Sequence, residues 1–133
     1  MAHANEMILG KIYEAFAKGD MADGMAAFTD DIAWHASGRN PVSGNYTGKT
    51  EVLGFFKKMM DVYDGPLQVE ILDILANDRN GIVLTIERGM IRGETLEFRA
   101  VHHWKFRDGK CARFENYADD AYHEFWSRHS SKT

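Results

Sequence analysis

The sequence predicts an α+β fold, and three observations carry that expectation. Apolar residues recur at helical spacing through the first half. The pattern changes to period two after Gly65 and Pro66. The alternating segments that follow are joined by connections too short for anything but antiparallel pairing. A chain of 133 residues suits one compact domain.

The first helix is read over Glu6 to Lys18, with Ile8, Leu9, Ile12, Tyr13 and Phe16 on one side and Gly19 as its stop. Asp20 then caps a short second helix that continues to Phe28, with Gly24 as a weak point. Asp30 and Asp31 close this pair of helices. A strand follows over Ile32 to Ala36, and then a loop dense in turn formers (Gly38, Asn40, Pro41, Ser43, Gly44, Asn45, Gly48) that would sit at a pocket mouth. A third helix covers Lys49 to Tyr63, marked by Val52, Phe55, Phe56, Met59 and Met60. Four strands are read at Leu67 to Leu75, Gly81 to Arg92, Thr95 to Phe106 and Lys110 to Ala118. Asp119 to Ser127 forms a last short helix, and the tail Arg128 to Thr133 is polar and expected to fray.

The final hairpin decides which side chains face inward. A three-residue turn with Gly109 left-handed, in a bulged geometry, sets Phe106 opposite Lys110. One face then holds Phe98, Ala100, His102, Trp104, Phe106, Ala112, Phe114, Asn116 and Ala118. The opposite face holds Glu97, Arg99, His103, Lys105, Arg113, Glu115 and Tyr117. The inward face is thus apolar except for His102 and Asn116.

Charge and composition exclude several function classes. Sixteen Lys and Arg against 20 Asp and Glu give a net charge of -4, and the cations form no stripe, so nucleic acid is not an expected partner. No apolar stretch is long enough for a membrane span. One cysteine, Cys111, and an N-terminus without signal-peptide character give a cytoplasmic expectation. The segment Gly44 to Thr50 imitates a phosphate-binding loop, but only three residues separate its glycines, so nucleotide binding is not expected. His123-Glu124 lacks the second histidine of a zincin, since Ser127 stands there, and the adjacent His102 and His103 point to opposite faces. No metal is expected.

His102 is the residue that stands out, because it interrupts an apolar face. It is either a core histidine satisfied by a tyrosine or a carbonyl, or a proton donor and acceptor that faces a ligand. Asn116 can orient an oxygen but takes no proton. The apolar residues Phe16, Trp34, Phe55, Met59 and Phe114 suit either a plain core or the lining of a small-molecule pocket. Glu87 alternates with Val83 and Thr85; outward it is a solvated charge, the reading that Ile82, Leu84 and Ile86 favour, and inward it is a second acid or base.

From Tyr13 to Trp126 the chain resembles the SnoaL-like branch of the NTF2-like superfamily, which also contains ketosteroid isomerases and polyketide cyclases. The resemblance rests on Ala17-Lys18-Gly19-Asp20, Phe28-Thr29-Asp30-Asp31, Trp34-His35, Gly38-Arg39-Asn40-Pro41, Gly44-Asn45-Tyr46-Thr47-Gly48, Val101-His102-His103-Trp104 and Arg107-Asp108-Gly109-Lys110. It implies an NTF2-like cone: a curved antiparallel sheet wrapped around N-terminal helices, with an apolar pocket at the open end, commonly in a homodimer. Carried over by position, the isomerase base falls on Ala36, its oxyanion tyrosine on Ile12 with Tyr13 about 100° around the helix, and its protonated aspartate on His102. The cyclase pair falls on His102 and Asn116, with Asp119 as a substitute acid. The function expected is a SnoaL-like pocket protein, a cofactor-free isomerase or cyclase of an apolar ring-bearing or carbonyl compound, with a non-catalytic binding or interaction module as the alternative. Its catalytic candidates are His102, Asn116 and Asp119. Its ligand-lining candidates are Tyr13, Phe16, Trp34, Phe55, Met59, Glu87, Trp104 and Phe114.

Overall fold

The computed structural model describes residues 3–129. Residues 130–133, which belong to the tail expected to fray, lie outside them, as do residues 1–2 of the N-terminal segment. The elements run α1 (Ala4–Ala17), α2 (Met21–Met25), β1 (Phe28–Ala36), β2 (Gly44–Thr47), α3 (Gly48–Val62), β3 (Gln68–Ala76), β4 (Asn80–Ile91), β5 (Glu94–Arg107), β6 (Lys110–Ala118) and α4 (Asp120–His129). One curved, unclosed sheet has the order β2-β1-β6-β5-β4-β3. All neighbours are antiparallel except β1 and β6. Helix α1 lies against β3 and β4, α3 against β1 and β2, and α4 against β5 and β6.

The second helix is shorter than expected and Phe28 belongs to the sheet. Cys111 donates its backbone N–H to Ala27 O at 2.8 Å, and Phe28, fully buried, pairs with Cys111. The sheet ladder therefore overrides the helical spacing of Met21, Met25 and Phe28, and Asp30 and Asp31 lie within β1 rather than closing a helix pair. Asp20 does cap α2, accepting from Asp23 N at 3.0 Å. Gly24 serves close packing, since a Cβ there would lie 2.3 Å from the Phe16 ring.

The stretch expected as a loop contains strand β2, whose Tyr46 pairs with Trp34 and buries its ring. Its turn formers hid it, because only one of its four residues points to the core. Thr47 is the N-cap of α3 but makes no side-chain cap bond; instead Glu51 accepts from Thr47 N at 2.7 Å. The loop ahead of β2 is tied to α4 by Asn40 Nδ2 donating to Tyr122 Oη at 3.0 Å.

The last hairpin reaches the expected facing by a different turn. Arg107 pairs with Lys110, so the turn has two central residues, and both Asp108 (φ 51°) and Gly109 (φ 78°) are left-handed, as a type I′ turn requires. That turn alone would put Phe114 on the wrong side. A bulge between Lys105 and Phe106 restores the facing, with a register two residues from the expected one: Trp104 pairs with Phe114 and His102 with Asn116. It also brings Cys111, fully buried, opposite Phe106 and leaves Ala112 as the extra residue. Ala112 is thus removed from the inward set and Cys111 joins it.

Candidate functional site

The inward face is not one continuous apolar surface. A first cluster gathers Leu9, Ile12, Phe28, Trp34, Phe55, Val83, Trp104 and Phe114 around one end of the sheet. A second gathers Tyr63, Ile91, Leu96, Phe98, Tyr122, Phe125 and Trp126 at the other. Between them lie Asn116 on β6, His102 on β5, and Thr85 and Glu87 on β4. Val83 of the first cluster and Ala100 of the second flank that stretch as the strand partners of His102 and Thr85. Met59 and Val62 of α3 pack against both clusters and so span the division.

Four polar side chains join in one hydrogen-bonded chain. Trp104 Nε1 and Tyr13 Oη lie 3.1 Å apart, Tyr13 Oη and His102 Nδ1 2.5 Å, and His102 Nε2 and Glu87 Oε2 2.8 Å. Thr85 Oγ1 donates to the same Glu87 oxygen at 2.8 Å. An indole N–H can only donate, so Tyr13 Oη accepts from Trp104. With a neutral His102 and an ionised Glu87, Tyr13 then donates its own proton to His102 Nδ1, and His102 Nε2–H donates to the Glu87 carboxylate. Glu87 and His102 are 5% and 8% exposed, so the pair meets in a medium where its interaction is strong and an orphaned charge is costly. Burial pushes the Tyr13 hydroxyl well above the usual tyrosine range, the Trp104 donor pulling more weakly the other way. Tyr13 therefore holds its proton throughout the neutral range.

Several expectations change here. Glu87, favoured as an outward solvated charge, faces inward: its strand alternates Val83, Thr85, Glu87 with Ile82, Leu84, Ile86, and it is the first set that is buried. Tyr13, about 100° around the helix from Ile12, is the residue that meets His102, while Ile12 is 2% exposed in the core. Asn116 sits opposite His102, but its Oδ1 accepts from Ser37 N at 2.8 Å and Ser37 Oγ at 3.3 Å. Asp119 lies away from His102, exposed, accepting from Arg99 N at 3.2 Å and capping α4 through its carbonyl. Trp34, Phe55, Trp104 and Phe114 are buried, and Tyr13, Phe16 and Met59 half-buried, all in or against the first cluster. Thr85, 1% exposed, was not anticipated; nothing in its sequence context marks it beyond its alternation with Glu87. Among the described residues no group of three or more His, Cys, Asp or Glu could hold a metal ion, and no helix is long and apolar enough to cross a membrane.

A family model described as a SnoaL-like domain matches residues 9–114. The chain belongs to the SnoaL-like domain family. An uncharacterized protein of Mycobacterium tuberculosis, Rv0034, is 26% identical over 123 residues, covering 90% of this chain and 94% of that protein. Among solved structures, Bal32a from a soil-derived mobile gene cassette superimposes with a TM-score of 0.85 at 23% identity, covering 94% of this chain and 98% of that one. An NTF2-like protein of unknown function from Burkholderia pseudomallei gives 0.84 at 21% identity, covering 93% and 97%. TerC, co-crystallized with polyporic acid, gives 0.83 at 22%, covering 94% and 99%. At these identities the structural likenesses speak for the fold: an α+β NTF2-like cone. All the polar residues joined by the hydrogen-bonded chain, from Tyr13 to Trp104, lie inside the matched segment.

Proposed function

We propose that this SnoaL-like protein is a cofactor-free isomerase or cyclase that works by acid–base chemistry on an apolar ring-bearing carbonyl compound. His102 handles the proton, Glu87 is its carboxylate partner and Tyr13 is the hydroxyl offered to the ligand oxygen. The observation that carries this is the unbroken chain Glu87–His102–Tyr13–Trp104 at the junction of two apolar clusters.

The chain can act as a proton switch. With His102 neutral, Tyr13 spends its proton on Nδ1. When Nδ1 also carries a proton, opposite the Glu87 carboxylate, it donates to Tyr13 Oη, which then accepts from both His102 and Trp104 and has its own O–H left to donate. As a ligand oxygen takes that proton through its lone pair, the Nδ1 proton moves to Tyr13. Imidazolium and enolate become imidazole and enol, whereas a carbonyl oxygen accepts only the hydrogen bond; Tyr13 ends neutral, consistent with a phenolate disfavoured by burial. Asn116 retains its amide N–H groups to orient a second oxygen.

One observation favours the alternative, a non-catalytic binding module: both imidazole nitrogens already have protein partners. Native mass spectrometry and solvent extraction of the purified protein identify any ligand that copurifies. With that compound as substrate, His102→Ala is expected to lose roughly 100-fold or more in rate with affinity little changed. Full activity in the variant refutes the role of His102.

The proposal includes a cytoplasmic homodimer. The outward face carries a cleft of about 380 Å³ bordered by Leu72, Leu84, Val101 and Tyr117, together with Arg99 and Asp119. A second copy related by a twofold axis would cover these apolar residues with the same patch of its own surface, as an isologous interface demands. Light scattering should give a dimer mass; a monomer across micromolar concentrations contradicts it.

A further inference from the structure

Buried donors normally find acceptors, so an indole N–H without one calls for a reason. Among the described residues, four buried side-chain polar atoms make no hydrogen bond: Thr29 Oγ1, Trp34 Nε1, Trp126 Nε1 and His129 Nε2. Three of them have a polar neighbour at hand. Thr29 lies beside Asp31, Trp126 beside Tyr122, and His129 Nε2 is 3.3 Å from Glu94 Oε1. Trp34 has none. Its indole, 4% exposed, is surrounded by rings: it stacks on Phe114 with centroids 3.9 Å apart, and Phe28, Phe55, Phe56 and Trp104 pack around it.

We propose that Trp34 is a ligand-reading donor, whose indole N–H is met by an acceptor oxygen, a ring carbonyl or an enolate, of the molecule that this site binds. This deepens the function proposed above and rests on it. A lone water is a poor substitute, because it needs two or more polar partners and this wall is aromatic. Position supports the assignment. Trp34 stacks on Phe114, whose ring in turn lies 5.2 Å from that of His102, so one ring separates the indole from the polar division. Asn116 has committed its oxygen to Ser37 and can offer the ligand only N–H groups. A carbonyl or enolate satisfies Trp34 outright, whereas a hydroxyl that accepts from it still needs an acceptor for its own proton.

The test uses two probes of one ring shape, 1-tetralone with a carbonyl and tetralin without. Affinities are measured for wild type and Trp34→Phe, and the indole N–H resonances of ¹⁵N-labelled wild type, assigned from through-bond and NOE spectra, are followed in both titrations. Comparing the ketone-to-hydrocarbon affinity ratio between the two proteins removes the difference in hydration of the probes. That ratio should fall about three- to tenfold in Trp34→Phe, the worth of one net hydrogen bond, because the packing lost with the indole weakens both probes alike and cancels in the ratio. The Trp34 N–H should move downfield with tetralone and not with tetralin; this readout needs no variant, so it stands if Trp34→Phe fails to fold. If both probes bind but the ratio and the resonance stay unmoved, Trp34 is satisfied by an N–H contact to a neighbouring ring and the inference is overturned while the pocket reading survives. If neither probe binds the wild type, the pocket reading fails and this inference fails with it.

Discussion

Replacing His102 by leucine should destabilise the protein more than replacing its partner, and replacing both should cost less than the His102 change alone. In His102→Leu the Glu87 carboxylate, 5% exposed, keeps only the Thr85 hydroxyl at 2.8 Å. Breaking a buried pair in this way typically costs about 3–5 kcal/mol. Holding a carboxyl of ordinary acidity neutral at pH 7 costs about 4 kcal/mol, which caps the penalty and makes it shrink toward pH 5. Glu87→Leu leaves a neutral imidazole with one unsatisfied N–H, while Thr85 keeps a contact to Ala100 O at 3.3 Å. That costs about 1–3 kcal/mol. The double variant has neither orphan, and well-packed apolar replacements for buried pairs are often neutral or stabilising. Urea unfolding of the four proteins at pH 7 and pH 5 supplies the cycle. If the two single effects simply add, the pair is not energetically coupled and the chain of hydrogen bonds described here is not a working unit.

Further outcomes follow from burial and from the site. Cys111, fully buried, has its thiol pushed up to about 12 by burial, so it should resist Ellman's reagent at pH 8 in native buffer and react once urea unfolds the chain. Because the folded value exceeds the unfolded one, stability is intact below about pH 8 and falls as pH rises through 9 toward 12. Tyr13 and Tyr122, also raised by burial, add to the loss above pH 10. Each group ionised only in the unfolded chain costs about 1.4 kcal/mol per pH unit, and unfolding midpoints measured from pH 8 to 11 that fail to decline contradict the burial. Isomerisation of 5-androstene-3,17-dione, followed by enone absorbance, should be far below that of a dedicated isomerase. Tyr13 supplies a donor facing His102, but Ala36, at the position matched to the isomerase base, brings no carboxylate, and a missing base costs about 10² to 10⁴ in rate. Enzyme-like turnover would show that another carboxylate takes that place.

The helices and the four-strand meander were legible because each carries a run of alternation or helical spacing long enough to outvote its ends. Phe28 and β2 were not. Phe28 fits the helical spacing of Met21 and Met25 and becomes a strand residue through its ladder with Cys111, a contact 83 positions away. Glu87 was ambiguous for a related reason: both faces of β4 are apolar, so alternation gives its period but not its sign, and burial against the helices decides it. Helical spacing put Tyr13 on the inward face of α1 but could not show which β5 side chain its hydroxyl meets, a partner 89 positions away. The inward facing of His102 and Asn116 was legible, although by a turn the chain does not use: the type I′ turn and the compensating bulge cancel in their effect on that face. Trp34 illustrates the remaining gap, because a residue type marks a ring but not whether its N–H will find a partner.

The most direct test of the central claim is a single-turnover measurement with the compound recovered from the protein, bound beforehand to wild type, His102→Ala and Tyr13→Phe and followed by chromatography. Prebinding separates chemistry from affinity. Conversion by the wild type is expected, with a loss of roughly 100-fold or more in His102→Ala and an impaired Tyr13→Phe. Equal rates in all three proteins, or a wild type that holds the compound unchanged, would contradict the claim.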